Sequence, residues 1–232
     1  MNKFTAIVLA AGSGKRMEQE IPKQYMNIGG MPLMAHCLKT FQESKVTQIV
    51  LVVSPGDIDK CRKEIIERYH IDKCVAIVEG GDERYDSVYA GLQAIDDGYV
   101  LIHDCARAFV TVDIIHRCMS AVALYESCVV GMPTKDTVKL TDTHRKVLDT
   151  PDRSSVWIVQ TPQCFEYSLV RKAYDAVIAN ADTSITDDAM VVEKATNHEV
   201  HMIEGSYLNI KVTTPEDIAF AEAILKTRAH LN

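Results

Sequence analysis

No stretch of this chain approaches the roughly 18 consecutive apolar residues that cross a bilayer, and its first apolar run, Phe4 to Ala11, spans only eight residues. Lys15 and Arg16 follow almost at once, a poor match to the apolar region and cleavage site of a secretory signal. A soluble, cytoplasmic protein without a membrane partner is expected. Cations are in deficit, with 25 Lys and Arg against 32 Asp and Glu and a net charge of −7. That balance argues against a general nucleic-acid binder, which needs a broad surplus of Lys and Arg to meet a phosphate backbone. No CxxC pair occurs among the seven cysteines (Cys37, Cys61, Cys74, Cys105, Cys118, Cys128 and Cys164), and their number is odd. Reduced and mostly buried thiols are expected, rather than a disulfide framework or a metal centre. Low-complexity segments, linker-like stretches and internal repeats are also missing, so residues 1–232 are expected to form one domain around one core.

What the chain does carry is concentrated after its first strand. Leu9-Ala10-Ala11-Gly12-Ser13-Gly14-Lys15-Arg16-Met17, with Pro22-Lys23-Gln24 beyond it, joins an apolar, partly β-branched run to a glycine turn and three cations within nine residues. Gly12 and Gly14 lack a Cβ, so the backbone there can turn its amide N–H groups toward phosphate oxygens. Two better-known glycine motifs do not fit. A Walker loop needs Gly where Leu9 stands and Ser or Thr where Arg16 stands, and a dinucleotide fingerprint needs Gly where Met17 stands. The segment is either a binding loop for a small polyanion or a plain turn with solvated lysines.

Strand and helix patterns then alternate. Pro32 to Phe41 suits a helix, Gln48 to Ser54 a buried strand, and Pro55-Gly56-Asp57 opens a helix to about Tyr69. Val75–Glu79, Tyr99–His103 and Cys128–Met132 read as strands, Asp86–Ile95 and Asp113–Tyr125 as helices. This predicts an α/β fold, a single Rossmann-like domain with a mostly parallel sheet covered by helices. Ligands of such sheets sit beyond the carboxyl ends of strands. The polar groups there are Gly12 to Lys23, Gly80-Gly81-Asp82-Glu83-Arg84 and His103-Asp104-Cys105-Ala106-Arg107. Asp104 could hold a divalent cation against a triphosphate or cap a turn, and Gly81-Asp82 could read a base edge, with Asp86 or Ser87 capping the next helix, or form a simple bend. From Thr137 to Arg153 residues alternate around a Thr141-Asp142-Thr143-His144 turn, predicting a protruding β-hairpin arm (about 137–155) after the last parallel strand and, with it, a homodimer. Thr214-Pro215-Glu216-Asp217 is a strong helix start with Thr214 as cap. Lys211 just before it is either a working cation or a solvated lysine.

Taken in order, AAGSGKRM (10–17), PKQY (22–25), GGDERYDSV (80–88), HDCAR (103–107), KDTVK (135–139), DRSSVW (152–157), QTPQCF (160–165), TDDA (186–189) and NIKVTTPED (209–217) resemble the 2-C-methyl-D-erythritol 4-phosphate cytidylyltransferase family over nearly the whole chain. Ribitol-5-phosphate cytidylyltransferase is the near relative, and a nucleotide-binding protein without chemistry is the remaining alternative. GDER, the KDT segment and the arginine of DRSSVW favour the methylerythritol enzyme. The resemblance implies CTP and a sugar-alcohol phosphate as partners, with Mg2+ bound mainly through the CTP phosphates and at Asp104. It implies that Ala10, Ala11, Gly12, Gly81, Asp82 and Ser87 surround the cytosine nucleotide, that Gly14 and Lys15 follow its phosphates, and that Arg16 and Lys23 stabilise transition-state charge. Asp104, Arg107, Thr137, Thr161 and Thr186 would line the sugar-phosphate and metal side. Arg153, from a partner's arm, and Lys211 would position the acceptor. Cys105, Ala108 and Leu208 depart from the family's usual residues and bear on the shape of the acceptor pocket.

Overall fold

The structure, a computed structural model, describes residues 2–12, 22–180 and 185–231. β1 (Phe4–Ala10) is followed by a 3-10 turn at Lys23–Tyr25 and a small hairpin of β2 (Asn27–Ile28) and β3 (Met31–Pro32). There follow α1 (Leu33–Glu43), β4 (Gln48–Val53), α2 (Ile58–Cys61, continued as a wider turn to Glu67), β5 (Cys74–Glu79), α3 (Arg84–Gln93), β6 (Tyr99–Asp104), α4 (Val112–Tyr125) and β7 (Ser127–Pro133). This alternation matches the hydrophobic pattern of the sequence. The remainder is β8 (Leu140–Thr141), β9 (Val147–Asp149), β10 (Trp157–Glu166), α5 (Tyr167–Asn180), α6 (Asp188–Thr196), β11 (His201–Glu204) and α7 (Pro215–Leu231).

Seven strands form the central sheet in the order β11-β7-β10-β6-β1-β4-β5. β1 runs parallel to both its neighbours, β4 and β6, β5 continues parallel beyond β4, and β11 runs parallel to β7. β10 is antiparallel to β6 and β7, and its pairing skips between Val159 and Gln163. Pro162 stands at that skip, where a residue without an N–H costs no ladder bond. Helices cover both faces, so the strands are apolar on both sides. Along β1, Ala6, Val8 and Ala10 face the core shared with α1 and α4, whereas Ile7 faces the core shared with α3 and α5. All seven cysteines are free and six are buried. No helix among the described residues is long and apolar enough to cross a membrane.

Two expectations are corrected. The arm does not follow the last parallel strand, because β11 comes after it and pairs with β7. β11 is four residues, His-Met-Ile-Glu, at the sheet edge, too short and polar to announce itself. The hairpin turn lies at Asp142–Lys146 rather than Thr141–His144. The Asp142 carboxylate accepts the N–H groups of His144 and Lys146, each at 2.9 Å, and Arg145 takes a positive φ of 67°.

α3 lies close against β1 at Gly91, where a Cβ would meet Ile7 Cγ2 at 2.6 Å and Val52 Cγ2 at 3.2 Å. Alanine in an exposed helix would gain about 0.5–1 kcal/mol over glycine. Here the stiff β-branched neighbours reverse the sign. Gly91→Ala is expected to lose about 1–3 kcal/mol in urea denaturation, and an unchanged midpoint would mean that α3 is free to move outward.

Candidate active site

The carboxyl ends of four adjacent parallel strands, β5, β4, β1 and β6, open onto a cleft of about 520 Å³. This is where the strand order leaves β1 in two directions, the usual ligand position in an open α/β sheet. Ala10, Ala11 and Gly12 form its β1 edge, and Gly81, Asp82 and Ser87 its edge beyond β5. Its charged lining comes from Lys23, Arg84, Asp104 and Lys211, with Asp82 and Glu83 at the edge beyond β5. Gly14, Lys15 and Arg16 lie outside the described residues.

The edge beyond β5 depends on close backbone approach. A Cβ on Gly80 would meet Ala11 Cβ at 2.6 Å and Ser87 Oγ at 2.5 Å, so only glycine brings this turn against the end of β1. α3 then starts with a reciprocal cap, in which the Asp86 carboxylate accepts the Glu83 N–H at 3.1 Å and Glu83 accepts from the backbone of Asp86. The N-cap is thus Glu83 rather than Asp86 or Ser87, because α3 starts two residues earlier than expected; Asp86 is the inner partner of the box, and the Ser87 hydroxyl donates to the Glu83 carbonyl at 3.3 Å.

A chain of charges fixes the cleft's floor. Lys211 Nζ lies 2.6 Å from Asp104 Oδ2, and Arg84 Nε donates to Asp104 Oδ1 at 3.1 Å. The other two nitrogens of Arg84 grip Asp188 in a fork, at 2.8 and 2.7 Å. Asp188 is fully buried and also accepts from Tyr174 Oη at 2.5 Å. Burial alone would push the Asp104 carboxyl up, but the Arg84 guanidinium and the Lys211 ammonium outweigh it and hold the group well below the usual carboxylate range. Burial, with the Asp188 carboxylate beside it, pushes the Tyr174 hydroxyl up, so it stays a donor.

Behind the cleft, Thr161 and Arg107 brace this floor. The Arg107 carbonyl can only accept, so His103 Nε2, 3.1 Å away, carries the proton, and Nδ1 accepts from the Thr161 hydroxyl at 2.9 Å. The same hydroxyl oxygen accepts the Asp104 N–H at 3.1 Å. Burial lowers the His103 pKa to about 4, keeping the ring neutral in this arrangement. The Arg107 guanidinium donates to the carbonyls of Asn209 and Val159, tying the segment before Lys211 to β10. Thr186 lines a separate hollow of about 230 Å³ with Arg84, Tyr85 and Tyr174. Thr137 and Arg153 stand exposed at the arm, where Arg153 donates to the Lys135 carbonyl at 3.1 Å. They are not brought to the cleft of their own chain. Among the described residues no three His, Cys, Asp or Glu side chains gather as a metal site.

The Arg84–Asp188 pair is the part that sequence reasoning missed. Both residues stood in recognisable segments, GDER and TDDA, but a partnership across 104 positions leaves no local trace. Removing Arg84 would strand a buried carboxylate. Arg84→Met is expected to lose about 3 kcal/mol, the low end for a broken buried pair, since Arg84 keeps 31% of its side chain exposed. Arg84→Met combined with Asp188→Leu should recover much of that loss in urea titrations, and strictly additive losses would show that the pair is not coupled.

A family profile for 2-C-methyl-D-erythritol 4-phosphate cytidylyltransferase matches residues 4–227. Curated relatives of that name include one from Lachnoclostridium phytofermentans, 48% identical over 97% of each chain. Another, from Alkaliphilus oremlandii, is 46% identical over 98% of this chain and 97% of its own. Among solved structures, a 4-diphosphocytidyl-2C-methyl-D-erythritol synthase from Anaerococcus prevotii superposes with a TM-score of 0.85 at 33% identity, covering 97% of this chain and 96% of that one. With a profile match along nearly its full length and relatives this similar, the chain belongs to the 2-C-methyl-D-erythritol 4-phosphate cytidylyltransferase family.

Proposed function

We infer that the protein transfers CMP from CTP to 2-C-methyl-D-erythritol 4-phosphate, forming 4-diphosphocytidyl-2-C-methyl-D-erythritol and pyrophosphate, as a nucleotidyltransferase of isoprenoid synthesis. The observation that carries this reading is the cleft itself, with lysines and an ion-paired aspartate at the strand ends of a chain that belongs to the family. The acceptor phosphate, a monoester with a second pKa of about 6, is already mostly dianionic at neutral pH. One of its oxygens attacks the α-phosphorus of CTP, the bond to the β-phosphate oxygen breaks, and pyrophosphate leaves. No protein base is needed, so the residues have to bring two anions together and stabilise charge as it shifts.

In this reading Ala10, Ala11, Gly12, Gly81, Asp82 and Ser87 hold the nucleotide, and Lys23, with Arg16, meets its phosphates. Lys211, paired with Asp104, exchanges the carboxylate for the acceptor phosphate. Asp104, the cleft carboxylate at the end of β6 beside Lys211, is the side chain suited to Mg2+ together with a ligand rich in phosphate oxygens, and the ion when bound would supply charge neutralisation there. No three His, Cys, Asp or Glu side chains gather among the described residues, which suits a metal held chiefly by substrate. Arg107 and Thr161 act by bracing Asp104 and the Lys211 segment. Arg153 and Thr137 serve the cleft of a second copy. Exposed Leu140, Val147 and Leu148 on the arm support a homodimer, because an isolated hairpin cannot bury such side chains alone. Buried, free thiols support a cytoplasmic setting.

A coupled pyrophosphate assay with CTP and either methylerythritol phosphate or ribitol 5-phosphate tests the reaction. Release is expected with the first sugar. Turnover with ribitol 5-phosphate alone would reassign the acceptor, and none with either would leave a binding protein. Lys23→Ala should lower kcat by on the order of 10²-fold, while Lys211→Ala should chiefly raise the acceptor KM; a raised CTP KM instead would displace Lys211 from the acceptor side. Sedimentation at micromolar concentration should give a dimer that Leu148→Asp shifts toward monomer, and a monomeric wild type would remove the arm's assigned role.

A further inference from the structure

Gln24 lines the cleft next to Lys23, yet it is only 3% exposed and its Nε2 is buried with no hydrogen-bond partner. Two other polar side chains of the cleft have partners: Asp104 has Arg84 and Lys211, and Ser87 has the Glu83 carbonyl. A primary amide that gives up water and gains nothing destabilises the fold, and such orphans in native proteins call for a reason. The turn that carries Gln24 is firmly held. Tyr25 N–H donates to the Pro22 carbonyl at 2.9 Å, Tyr25 Oη donates to Asp57 at 3.0 Å, and Lys60 Nζ lies 3.9 Å from the centre of the Tyr25 ring. The unused donor is thus built into an ordered element.

The side of the sheet on which it sits narrows what it could meet. Tyr25 packs with the core shared by α1 and α4, whereas Ala11 and Val88, beside the Gly81–Ser87 edge, pack with the core of α3 and α5. Gln24 therefore lies across from the edge assigned to the base and on the side of Lys23. Its two N–H groups suit an oxygen acceptor, and the residue's place in the cleft lining puts such an acceptor beside it when a ligand binds there. A neutral donor beside Lys23 adds a contact to a phosphate without upsetting the charge balance around Asp104. Resting on the CTP site assigned above, we propose that Gln24 is a substrate-binding residue whose amide donates a hydrogen bond to a phosphate oxygen of the bound nucleoside triphosphate.

Gln24→Met keeps the side chain's length while removing the amide, and Gln24→Glu keeps its shape while turning a carboxylate on the phosphates. Titration calorimetry with CTP and Mg2+ should show affinity weakened at least fivefold in Gln24→Met and at least twentyfold in Gln24→Glu. Ligand-free Gln24→Met should unfold at or above the wild-type temperature, since no satisfied bond is lost. The proposal is overturned if Gln24→Met binds CTP within twofold of wild type, if Gln24→Glu binds as well as Gln24→Met, or if Gln24→Met melts well below wild type. A wild type that binds CTP but transfers nothing would sink the reaction assigned above and leave these affinities to judge Gln24. One that binds no CTP would sink both.

Discussion

Asp104 is the point on which the site's geometry turns. A carboxylate taken this far from water is costly unless opposite charge comes with it, and here it comes from two places, Arg84 at the start of α3 and Lys211 ahead of α7. Arg84 brings its own second carboxylate, Asp188, so two anions and two cations form one neutral set. Such sets are weak sources of stability compared with apolar packing, but they resist rearrangement, because a departure that no other charge replaces strands a buried one. The ends of β6, α3, α6 and the segment before α7 are held together by this requirement. Their separation in sequence, from residue 84 to residue 211, makes the floor of the cleft a property of the finished fold rather than of any one motif.

The sheet supplies the rest of the placement. Four parallel strand ends in a row leave their turns on one side, and glycine at position 80 lets two of those turns touch. β10, reversed between β6 and β7, closes the row: it runs past the end of β6 and puts Thr161 where its hydroxyl can serve both His103 and the Asp104 N–H. A parallel strand there would end on the cleft side and extend it. The bracing of Asp104 from behind thus depends on the one strand that breaks the parallel pattern.

Legibility in the sequence followed signal strength. Apart from the two-residue strands β2 and β3, the alternating strands and helices up to β7 were readable from their apolar runs, and the strand-end clusters around Gly12, Gly81 and Asp104 followed from where parallel strands stop. β10 hides a proline at a register skip, and β11 is a four-residue edge strand, so neither has a clean period of two. Lys23, Asp104 and Lys211 could be named as site candidates, but the Arg84–Asp188 fork and the Thr161–His103 relay could not, since side-chain pairing between distant segments has no periodicity to read. Gln24 sat in plain view within PKQY. What singles it out is an unmade hydrogen bond, which exists only in three dimensions.

The disposition of titratable groups also bears on the kind of chemistry the cleft can perform. His103, next to Asp104, has one nitrogen committed to the Arg107 carbonyl and the other to Thr161, and burial keeps it from gaining a proton near neutral pH. Cys61, below the Lys23–Tyr25 turn, is pushed up to about 11 by burial, so its thiol stays protonated and is a poor nucleophile. Neither is poised as a base or a covalent intermediate. An attacking group that arrives already ionised needs neither, and what remains useful is fixed positive charge with a carboxylate to keep it in register. That is what Lys23, Lys211 and Arg84 around Asp104 provide, and it ties the electrostatics of the fold to a reaction between two phosphate esters.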